Sequence, residues 1–240
     1  MSQKVSISKS GFDSKVMLQA LFDIAPLSVA VVPWGILCGS LAVGIGLSGL
    51  QAQLMSLFIF AGAAQLAATS LMGAAGSLSS IFSSTFVISA RHLLYSAVFR
   101  EHVRSSPFLT RVCTAFFLTD EMFAVTCAYI AKHKRYCATY AISSGVAFYV
   151  IWNLSTLAGI VLGQHLPNLE SLGLEFAIAA TFIAIVIPSI KAKSTLIAVV
   201  TSGVSVLVLS VFAADYALIV ATILGMLAGY FTAEKEGSNE

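Results

Sequence analysis

Residues 24–90 of the chain read IAPLSVAVVPWGILCGSLAVGIGLSGLQAQLMSLFIFAGAAQLAATSLMGAAGSLSSIFSSTFVISA. Across these 67 residues there is no Asp, Glu, Lys, Arg or His. About 20 apolar residues of helix already cross the roughly 30 Å hydrocarbon core of a bilayer. The stretch is therefore too long for one core element. It predicts two membrane spans joined by an uncharged turn, followed by the start of a third span.

The composition of the whole chain agrees with this prediction. Of its 240 residues, 58% are hydrophobic and 10% are charged, and the mean hydropathy is +0.92. Soluble domains carry about 25% charged residues. We therefore predict an all-α, polytopic helical membrane protein that lies in the lipid bilayer. The net charge is +2 and there is no long basic run, so nothing indicates nucleic acid as a partner.

A window of about 20 apolar residues predicts eight transmembrane helices. They lie near 24–46, 50–73, 78–99, 108–130, 137–162, 172–190, 195–212 and 215–231. The last two are short, so seven spans are the alternative. The predicted organisation is a polar N-terminal segment over 1–23, one transmembrane domain over 24–231 and a short polar tail over 232–240.

The distribution of lysine and arginine predicts the orientation of the helices. Cytoplasmic loops of membrane proteins carry an excess of positive residues. With eight spans and a cytoplasmic N-terminus, the positive clusters before the first span, after the fourth and after the sixth all lie in the cytoplasm. Arg100 and Arg104 lie on the opposite side and count against this orientation.

Arg91 and His92 interrupt the third predicted span. A charge at the centre of a membrane helix costs about 2.5–3.5 kcal/mol on insertion scales, and such residues commonly face a partner or a pathway. Arg91 and Tyr95 are one turn apart and share a helix face. Arg91 either snorkels to the interface or faces a cavity, where it can bind a carboxylate through two hydrogen bonds. His92 is either a proton relay or a histidine hydrogen-bonded within the bundle.

Asp120 and Glu121 lie at the middle of the fourth predicted span, where neither can snorkel. Adjacent helical residues diverge by about 100°, so at most one of them points squarely into a shared cavity. Two close carboxylates in a low dielectric oppose joint ionisation, which suits a proton-coupled carrier. The alternative is a purely structural ion pair between Arg91 and one of these carboxylates.

Other polar residues in the spans are weaker candidates. Gln65 and Thr69 share a face of the second span, after a run of small residues that includes Gly62 and is expected to leave room there. Asn153 lies mid-span in the fifth helix. Each is either part of a cavity or an interhelical hydrogen bond, and the hydrogen bond is the preferred interpretation for Asn153.

Proline and glycine mark positions of helix breaking or close packing. Pro33 removes a backbone donor and either kinks the first span or breaks it beside a cavity. Gly35 and Gly39 lie on one helix face, where another backbone can approach closely. The same spacing recurs at 159–163 and 225–229. We expect packing within the bundle, with a subunit interface or a moving contact as the alternative.

Several catalytic and cofactor motifs are absent from the sequence. There is no Gly-x4-Gly-Lys-Ser/Thr loop for nucleotide, no His-Glu-x-x-His and no Gly-x-Ser-x-Gly. The four cysteines form no Cys-x-x-Cys spacing. We therefore expect neither an enzyme nor a bound cofactor or metal.

Three segments follow one another along the chain: AGAAQ at 61–65, RHLLY at 91–95 and LTDEMFA at 118–124. Together they resemble the AzlC-type family of branched-chain amino-acid exporters. Pro26, the segment 33–39 and GLEFA at 173–177 resemble further parts of that family, so the similarity extends from about residue 15 to 230. The sequence departs from the family pattern at Ser89, Ser96, Phe117 and Ala179, so the resemblance does not fix the shape of the cavity or the preferred substrate.

This resemblance implies the large subunit of an exporter in the bacterial cytoplasmic (inner) membrane. Its substrate would be a small hydrophobic amino acid such as valine, and a small AzlD-type membrane subunit would be its partner. Our hypothesis is a secondary transporter driven by protons. Arg91 would bind the substrate carboxylate, and Asp120 or Glu121 would bind its ammonium group or the proton. The rival is a structural or assembly subunit whose partner is required for transport.

Overall fold

The computed structural model describes residues 14–165, 183, 187, 190, 192–212 and 217–237. Within these ranges every regular element is a helix, so the predicted all-α class is confirmed for them. The chain divides into two compact units, Met1–Thr181 and Phe182–Glu240. The predicted span near 172–190 lies almost wholly outside the described residues.

In the first unit, the described helices α1 to α8 are short and α9 is long. They are α1 (Ser14–Ala30), α2 (Val32–Gly44), α3 (Gly49–Phe58), α4 (Gly62–Gly73), α5 (Leu78–Ser89), α6 (Arg91–Val103), α7 (Phe108–Phe116), α8 (Asp120–His133) and α9 (Ala138–His165). The second unit contains α10 (Lys193–Phe212) and α11 (Ala217–Gly237), which pack against each other.

Each of the first four predicted spans is interrupted. Continuous helices were expected for the second, third and fourth spans, and this was wrong, whereas a break at the proline was one of the two alternatives for the first span. The breaks lie at Val31, 59–61, Ala90 and 117–119. The cause at the first break is Pro33, at the start of α2, because proline lacks a backbone donor and its ring clashes with the preceding turn. The α1–α2 pair bends there by 49°.

The four breaks follow a repeating pattern. The first and third interrupt the helix for one residue, and the second and fourth for three residues. The length of chain from the first break to the third is also nearly equal to the length from the second break to the fourth. Broken helices of this kind bring helix ends to membrane depth, where they are tolerated only inside protein or beside a water-filled cavity.

Length and composition show which helices could cross a membrane. Ala138–Gly163 of α9 and Lys193–Val211 of α10 are long and apolar enough by themselves, and the bent α1–α2 pair would make a third span. The eight-span count and the cytoplasmic N-terminus stay predictions. α1 begins at Ser14, so the first apolar helix is longer than the predicted 24–46 segment and includes Asp23.

The long helix α9 organises the first unit, because α1, α2, α3, α7 and α8 all pack against it. The closest approach is between α2 and α9. A Cβ added to Gly35 would overlap Ser155, and one added to Gly39 would overlap the backbone carbonyl of Thr156. Gly159 lies equally close to the backbone of α2. These glycines therefore allow the backbones of two helices to touch.

Side-chain caps define where several of the half-helices begin. Ser48 and Gln51 form a capping box at α3, with the Ser48 amide donating to Gln51 Oε1 at 2.8 Å. The Ser77 hydroxyl accepts from the Ser80 amide at the start of α5. Thr119 does the same for the Met122 amide at the start of α8. The cap before α8 places two carboxylates in a first helical turn.

Candidate functional site

Asp120 and Glu121 are the first two residues of α8. Negative side chains are favoured there because the unpaired amides and the helix dipole make a helix N-terminus positive. The two carboxylates thus lie at the start of a half-helix. The sequence had suggested instead that they lie within a continuous span. Because the helix is interrupted at 117–119, α8 begins at Asp120, and both carboxylates lie in its positive first turn.

The Asp120 carboxylate is held through both of its oxygens. Its Oδ2 lies 2.8 Å from Arg91 Nη2, and its Oδ1 accepts a 2.6 Å hydrogen bond from the Tyr95 hydroxyl. Arg91 and Tyr95 lie one turn apart at the start of α6, so the shared face predicted for them does meet the acidic pair. The Arg91 side chain is 27% exposed and that of Asp120 is 12% exposed, which leaves the pair partly accessible. Arg91 therefore pairs within the protein and does not snorkel.

Glu121 points elsewhere, as the angular separation of adjacent helical residues requires. Its side chain is buried, with 9% of its surface exposed. The first turn of α8 thus presents one carboxylate in an ion pair and a second one buried outside that pair.

Aromatic rings hold Tyr95 in place. Tyr95 stacks on Phe123 of α8 with ring centroids 4.3 Å apart, and Phe99 also packs on Phe123, with centroids 5.1 Å apart. Phe99 belongs to a buried cluster with Met122. Phe123 was not singled out from the sequence, although its place within the LTDEMFA segment was a signal.

His92 is directed away from the acidic pair. Its Nδ1 lies 3.0 Å from the Ser89 carbonyl oxygen, and its ring meets Tyr95 edge-on at 5.8 Å. The structure thus places His92 beside the site, in contact with Tyr95, and not on Asp120.

Gln65 takes part in a buried polar network between α3, α4 and α9. Its Nε2 donates to Ser56 Oγ at 2.9 Å, and Ser56 Oγ lies 2.9 Å from Thr156 Oγ1. The room expected beside Gly62 is filled, because the ring of Trp152 packs against that glycine. Gln65 does line an apolar groove of about 430 Å³ between α4 and α5.

Asn153 makes an interhelical hydrogen bond, which was the preferred interpretation of its place in the sequence. Its Oδ1 accepts from Gln53 Nε2 at 3.0 Å, and its Nδ2 donates to the Tyr149 carbonyl at 2.9 Å. The first of these bonds joins α3 to α9, and the second lies within α9.

An aromatic cluster connects the second and fourth helix breaks. Phe60 meets Tyr149 edge-on at 4.9 Å, and Phe116 and Phe117 each pack on the same tyrosine. The Tyr149 hydroxyl donates to the Leu57 carbonyl at the end of α3. Phe60 has a φ of +42°, a left-handed conformation that bulky residues rarely adopt. Sequence reasoning missed this cluster, since its members come from three separate segments.

A second carboxylate site was also missed. The Tyr140 hydroxyl donates to Asp23 Oδ2 at 2.7 Å, which joins α1 to the start of α9. Tyr129 of α8 stacks on Tyr140 at 4.1 Å and on His133 at 4.2 Å. Asp23 was taken to precede the first span, but the apolar residues before it belong to the same helix. Their hydropathy was the signal that could have revealed it.

A metal site was not expected from the sequence. Across the described part of the chain, no three His, Cys, Asp or Glu side chains are grouped to hold a metal ion. The chemistry available at the start of α8 is therefore that of a guanidinium, two carboxylates and a phenol.

The sequence model of the AzlC protein family matches residues 26–166, which include both members of the ion pair. The chain belongs to the AzlC family. The resemblance inferred from the order of its sequence segments is thereby confirmed.

Several AzlC relatives align over most of their length. A membrane protein of Archaeoglobus fulgidus is 31% identical over 78% of this chain and 80% of its own length. The inner membrane protein YgaZ of Escherichia coli is 24% identical over 94% of both chains. The branched-chain amino acid transport protein AzlC of Bacillus subtilis is 27% identical over 84% of this chain and 80% of its own. No solved structure matches the chain.

Membership of the AzlC family establishes the broad class of this protein. Its relatives are named as membrane proteins, and one is named as a transport protein for amino acids. The chain is accordingly a helical membrane protein of a transport family.

Proposed function

We propose that this AzlC-family protein is a secondary transporter that exports small hydrophobic amino acids, valine-like in size, across the bacterial inner membrane. The observation that carries the proposal is the Arg91–Asp120 ion pair at the starts of α6 and α8. The name of the Bacillus subtilis relative supports the substrate class. The substrate is a zwitterion, with an ammonium and a carboxylate group bonded to the same carbon atom.

The ion pair matches the charges of such a substrate. The Arg91 guanidinium would bind the substrate carboxylate through two parallel hydrogen bonds, and Asp120 would bind its ammonium group. In the absence of substrate the two side chains neutralise each other. Separating them leaves two partly buried charges without partners, which costs several kcal/mol. A zwitterion can offset both charges at once, whereas an amine or an acid offsets only one.

Tyr95 would position Asp120 for this exchange. Its hydroxyl holds Asp120 Oδ1, and its ring is fixed by stacking on Phe123. The other oxygen, Oδ2, is the one that Arg91 occupies. A substrate ammonium group could therefore replace Arg91 on Oδ2 while Tyr95 keeps the carboxylate in place.

An apolar groove formed in part by residues one or two positions from the site in sequence would accept the aliphatic side chain. It has a volume of about 500 Å³ between α6 and α7, and its walls include Phe99 and Leu118. Phe99 follows Tyr95 by one turn, and Leu118 lies in the break just before Asp120. Arg91, Tyr95 and Asp120 are not among the residues that line the groove, so the substrate would reach from those groups past Phe99 and Leu118 into it.

Glu121 would carry the coupling proton, with His92 as a second candidate. Glu121 is buried outside the Arg91–Asp120 pair, so its charge is not neutralised by that arginine at hydrogen-bond distance. A carboxyl group can take up and release a proton, which is what coupling to a proton gradient requires. Proton-driven export also agrees with the absence of a nucleotide-binding loop in the sequence.

The broken helices support alternating access. In many transporters, discontinuous helices related by internal repeats form the substrate site near the bilayer midplane. Here the four breaks recur in two similar halves, and Arg91 and Asp120 directly follow the third and fourth. A small AzlD-type membrane subunit is the proposed partner, and the lipid bilayer surrounds both.

The rival function is that of a structural or assembly subunit, in which the ion pair only holds α6 and α8 together. Exchanging the two charges separates the proposals. Arg91→Asp and Asp120→Arg would each break the pair, and the double variant would restore it with reversed polarity. Labelled-valine flux is measured in vesicles that contain this chain alone or with its small partner.

If the pair binds substrate, flux stays lost in the double variant although thermal stability recovers. If flux recovers together with stability, the pair is structural and the proposed substrate site is wrong. Flux that requires the small partner and is insensitive to all three variants would support the rival function.

A further inference from the structure

The groove between α6 and α7 is formed by one face of each helix. Leu93, Ala97 and Arg100 line it from α6, and Phe108 and Arg111 line it from α7. Residues three or four positions apart lie on the same side of a helix, so each helix contributes one continuous face. The two helices are therefore the two walls of the groove.

The groove has about the length of one leaflet of a bilayer. Along α6, Leu93 and Val103 are separated by about 15 Å, at 1.5 Å per residue. The hydrocarbon core of a bilayer is about 30 Å thick, so one leaflet contributes about 15 Å. A polar turn at 104–107 joins α6 to α7, and Leu118, at the other end of the groove, lies in the break of the fourth span. The groove therefore runs from this turn towards the middle of the membrane.

Two arginines lie at the end of the groove that is next to the turn. Arg100 is one turn before the end of α6, and Arg111 is one turn after the start of α7. Both are exposed, and among the described residues neither makes an ion pair or a hydrogen bond. Two positive charges at one end of a groove repel each other, and an anion between them offsets both. This end of the groove therefore favours a negatively charged group.

The walls between the arginines and the break are mostly apolar. They include Ala97 and Phe99 of α6 and Val112 and Ala115 of α7. Val112 is 46% exposed, and Phe108, next to the turn, is 75% exposed. Exposed apolar side chains at membrane depth face lipid chains. The groove is thus charged at the membrane surface and apolar towards the membrane centre, as a phospholipid is within one leaflet.

We propose that this groove binds one anionic phospholipid, with its phosphate between Arg100 and Arg111 and one acyl chain along α6 and α7. Guanidinium groups bind phosphate through paired N–H donors, which gives the headgroup a defined position. The site also gives a role to Arg100, which counted against the predicted orientation because few arginines are expected on that side of the membrane.

The lipid site goes beyond the proposed transport function and does not depend on it. The two are compatible, because the side chain of a valine-like substrate needs only the inner end of the groove, at Leu118. The outer part, between Arg100 and Arg111, stays available to the lipid. A lipid there would close the groove towards the bilayer.

The test uses the purified full chain in a neutral detergent. Native mass spectrometry counts the lipid molecules that stay bound when phosphatidylglycerol or phosphatidylcholine is added, both with the same acyl chains. We expect one bound phosphatidylglycerol, and binding of phosphatidylcholine that is weaker by about tenfold or more, because only phosphatidylglycerol carries a net negative charge.

Variants of three arginines test the position of the headgroup. Arg100→Gln and Arg111→Gln should each weaken phosphatidylglycerol binding by about tenfold or more, because each removes a charge-assisted contact to the phosphate. Arg100→Lys keeps the positive charge and should retain binding within about threefold. Arg104→Gln is the matched control. Arg104 is exposed at the end of the same helix but does not line the groove, so binding should stay within about twofold.

A photoactivatable phosphatidylglycerol with a diazirine on one acyl chain locates the chain. Its crosslinks should map to peptides that contain α6 and α7. Ala97→Phe fills the groove and should lower this crosslinking by at least about fivefold. Val98→Phe places the same ring on the next residue, which is 53% exposed and does not line the groove, and crosslinking should persist.

Each part of the proposal can fail separately. Equal binding of the two lipids, or equal losses in Arg104→Gln and Arg100→Gln, would indicate non-specific attraction of charge and would overturn the site. Crosslinks outside α6 and α7, or crosslinks that are unaffected by Ala97→Phe, would contradict the placement of the acyl chain. None of these measurements requires transport. Failure of the lipid site therefore leaves the transport proposal intact, and an absence of valine flux contradicts the transport proposal alone.

Discussion

Arg91 and Asp120 are the first residues of two different half-helices, α6 and α8, and their side chains meet at 2.8 Å. An arginine at a helix N-terminus opposes the local dipole, whereas an aspartate there is favoured by it. The N-terminus of α8 stabilises the Asp120 carboxylate. That carboxylate in turn offsets the unfavourable position of the Arg91 guanidinium at the start of α6. The breaks at Ala90 and 117–119 make this arrangement possible, because they end the preceding half-helices at these points.

Tyr95→Phe is expected to weaken substrate binding without unfolding the site. It removes the hydroxyl that holds Asp120 Oδ1 and keeps the ring stacked on Phe123. A hydrogen bond to a charged group contributes about 1.5–3 kcal/mol, so the half-saturating valine concentration should rise by about ten- to a hundredfold. Tyr230→Phe, at an exposed ring of α11, is the control. Unchanged saturation kinetics in Tyr95→Phe would contradict a positioning role.

Glu121→Gln is expected to uncouple transport from the proton gradient. The amide is close in shape to the carboxyl group but cannot carry the proton. A pH gradient should then no longer drive valine accumulation, while valine exchange at equal pH continues. Glu101→Gln, at an exposed position of α6, should leave both activities unchanged. Gradient-driven accumulation that survives in Glu121→Gln would assign the coupling proton to another group.

Gly39→Ala is expected to destabilise the contact between α2 and α9. The added methyl group would overlap the Thr156 carbonyl oxygen and the Ile160 amide nitrogen, which are backbone atoms that cannot move aside easily. Overpacking of this kind costs about 1–3 kcal/mol or more. Thermal unfolding in detergent measures it. Gly44→Ala in the same helix has no atom within 4 Å of the new Cβ and should be neutral or slightly stabilising.

Ala75→Gly is expected to stabilise the protein by about 1 kcal/mol. Ala75 has a φ of +54°, in the left-handed region where a Cβ is strained and glycine is not. The neighbouring Ala74 has a φ of −82°, so Ala74→Gly should bring no such gain. Equal unfolding temperatures for Ala75→Gly and Ala74→Gly would contradict this assignment of strain.

Much of the candidate site could be predicted from local sequence. The one-turn spacing of Arg91 and Tyr95 predicts a shared face, and both side chains do meet Asp120. Which of the two adjacent carboxylates would pair could not be predicted. That choice depends on where α8 begins and on how it is rotated relative to α6, and both are set by packing between distant segments.

Other features were missed for the same reason. Asp23 and Tyr140 are separated by most of the first unit in sequence, and their hydrogen bond exists only because α1 packs along α9. Small residues around Gly62 suggested an open space, but the ring of Trp152 fills it. A gap left by small side chains is visible in the sequence, whereas the group that occupies it comes from another helix.

The sequence by itself determined the membrane class and the helical fold, because a charge-free stretch as long as 24–90 can be buried only in lipid and in other apolar helices. It also determined which charged residues must be accounted for, since each one at membrane depth is unfavourable unless it has a partner. Only the tertiary structure decided where the spans break and which side chains meet. Hydropathy reports how much a segment prefers lipid to water, and a broken helix is as apolar as a continuous one. Partner choice depends on the relative register of helices, which no local pattern encodes.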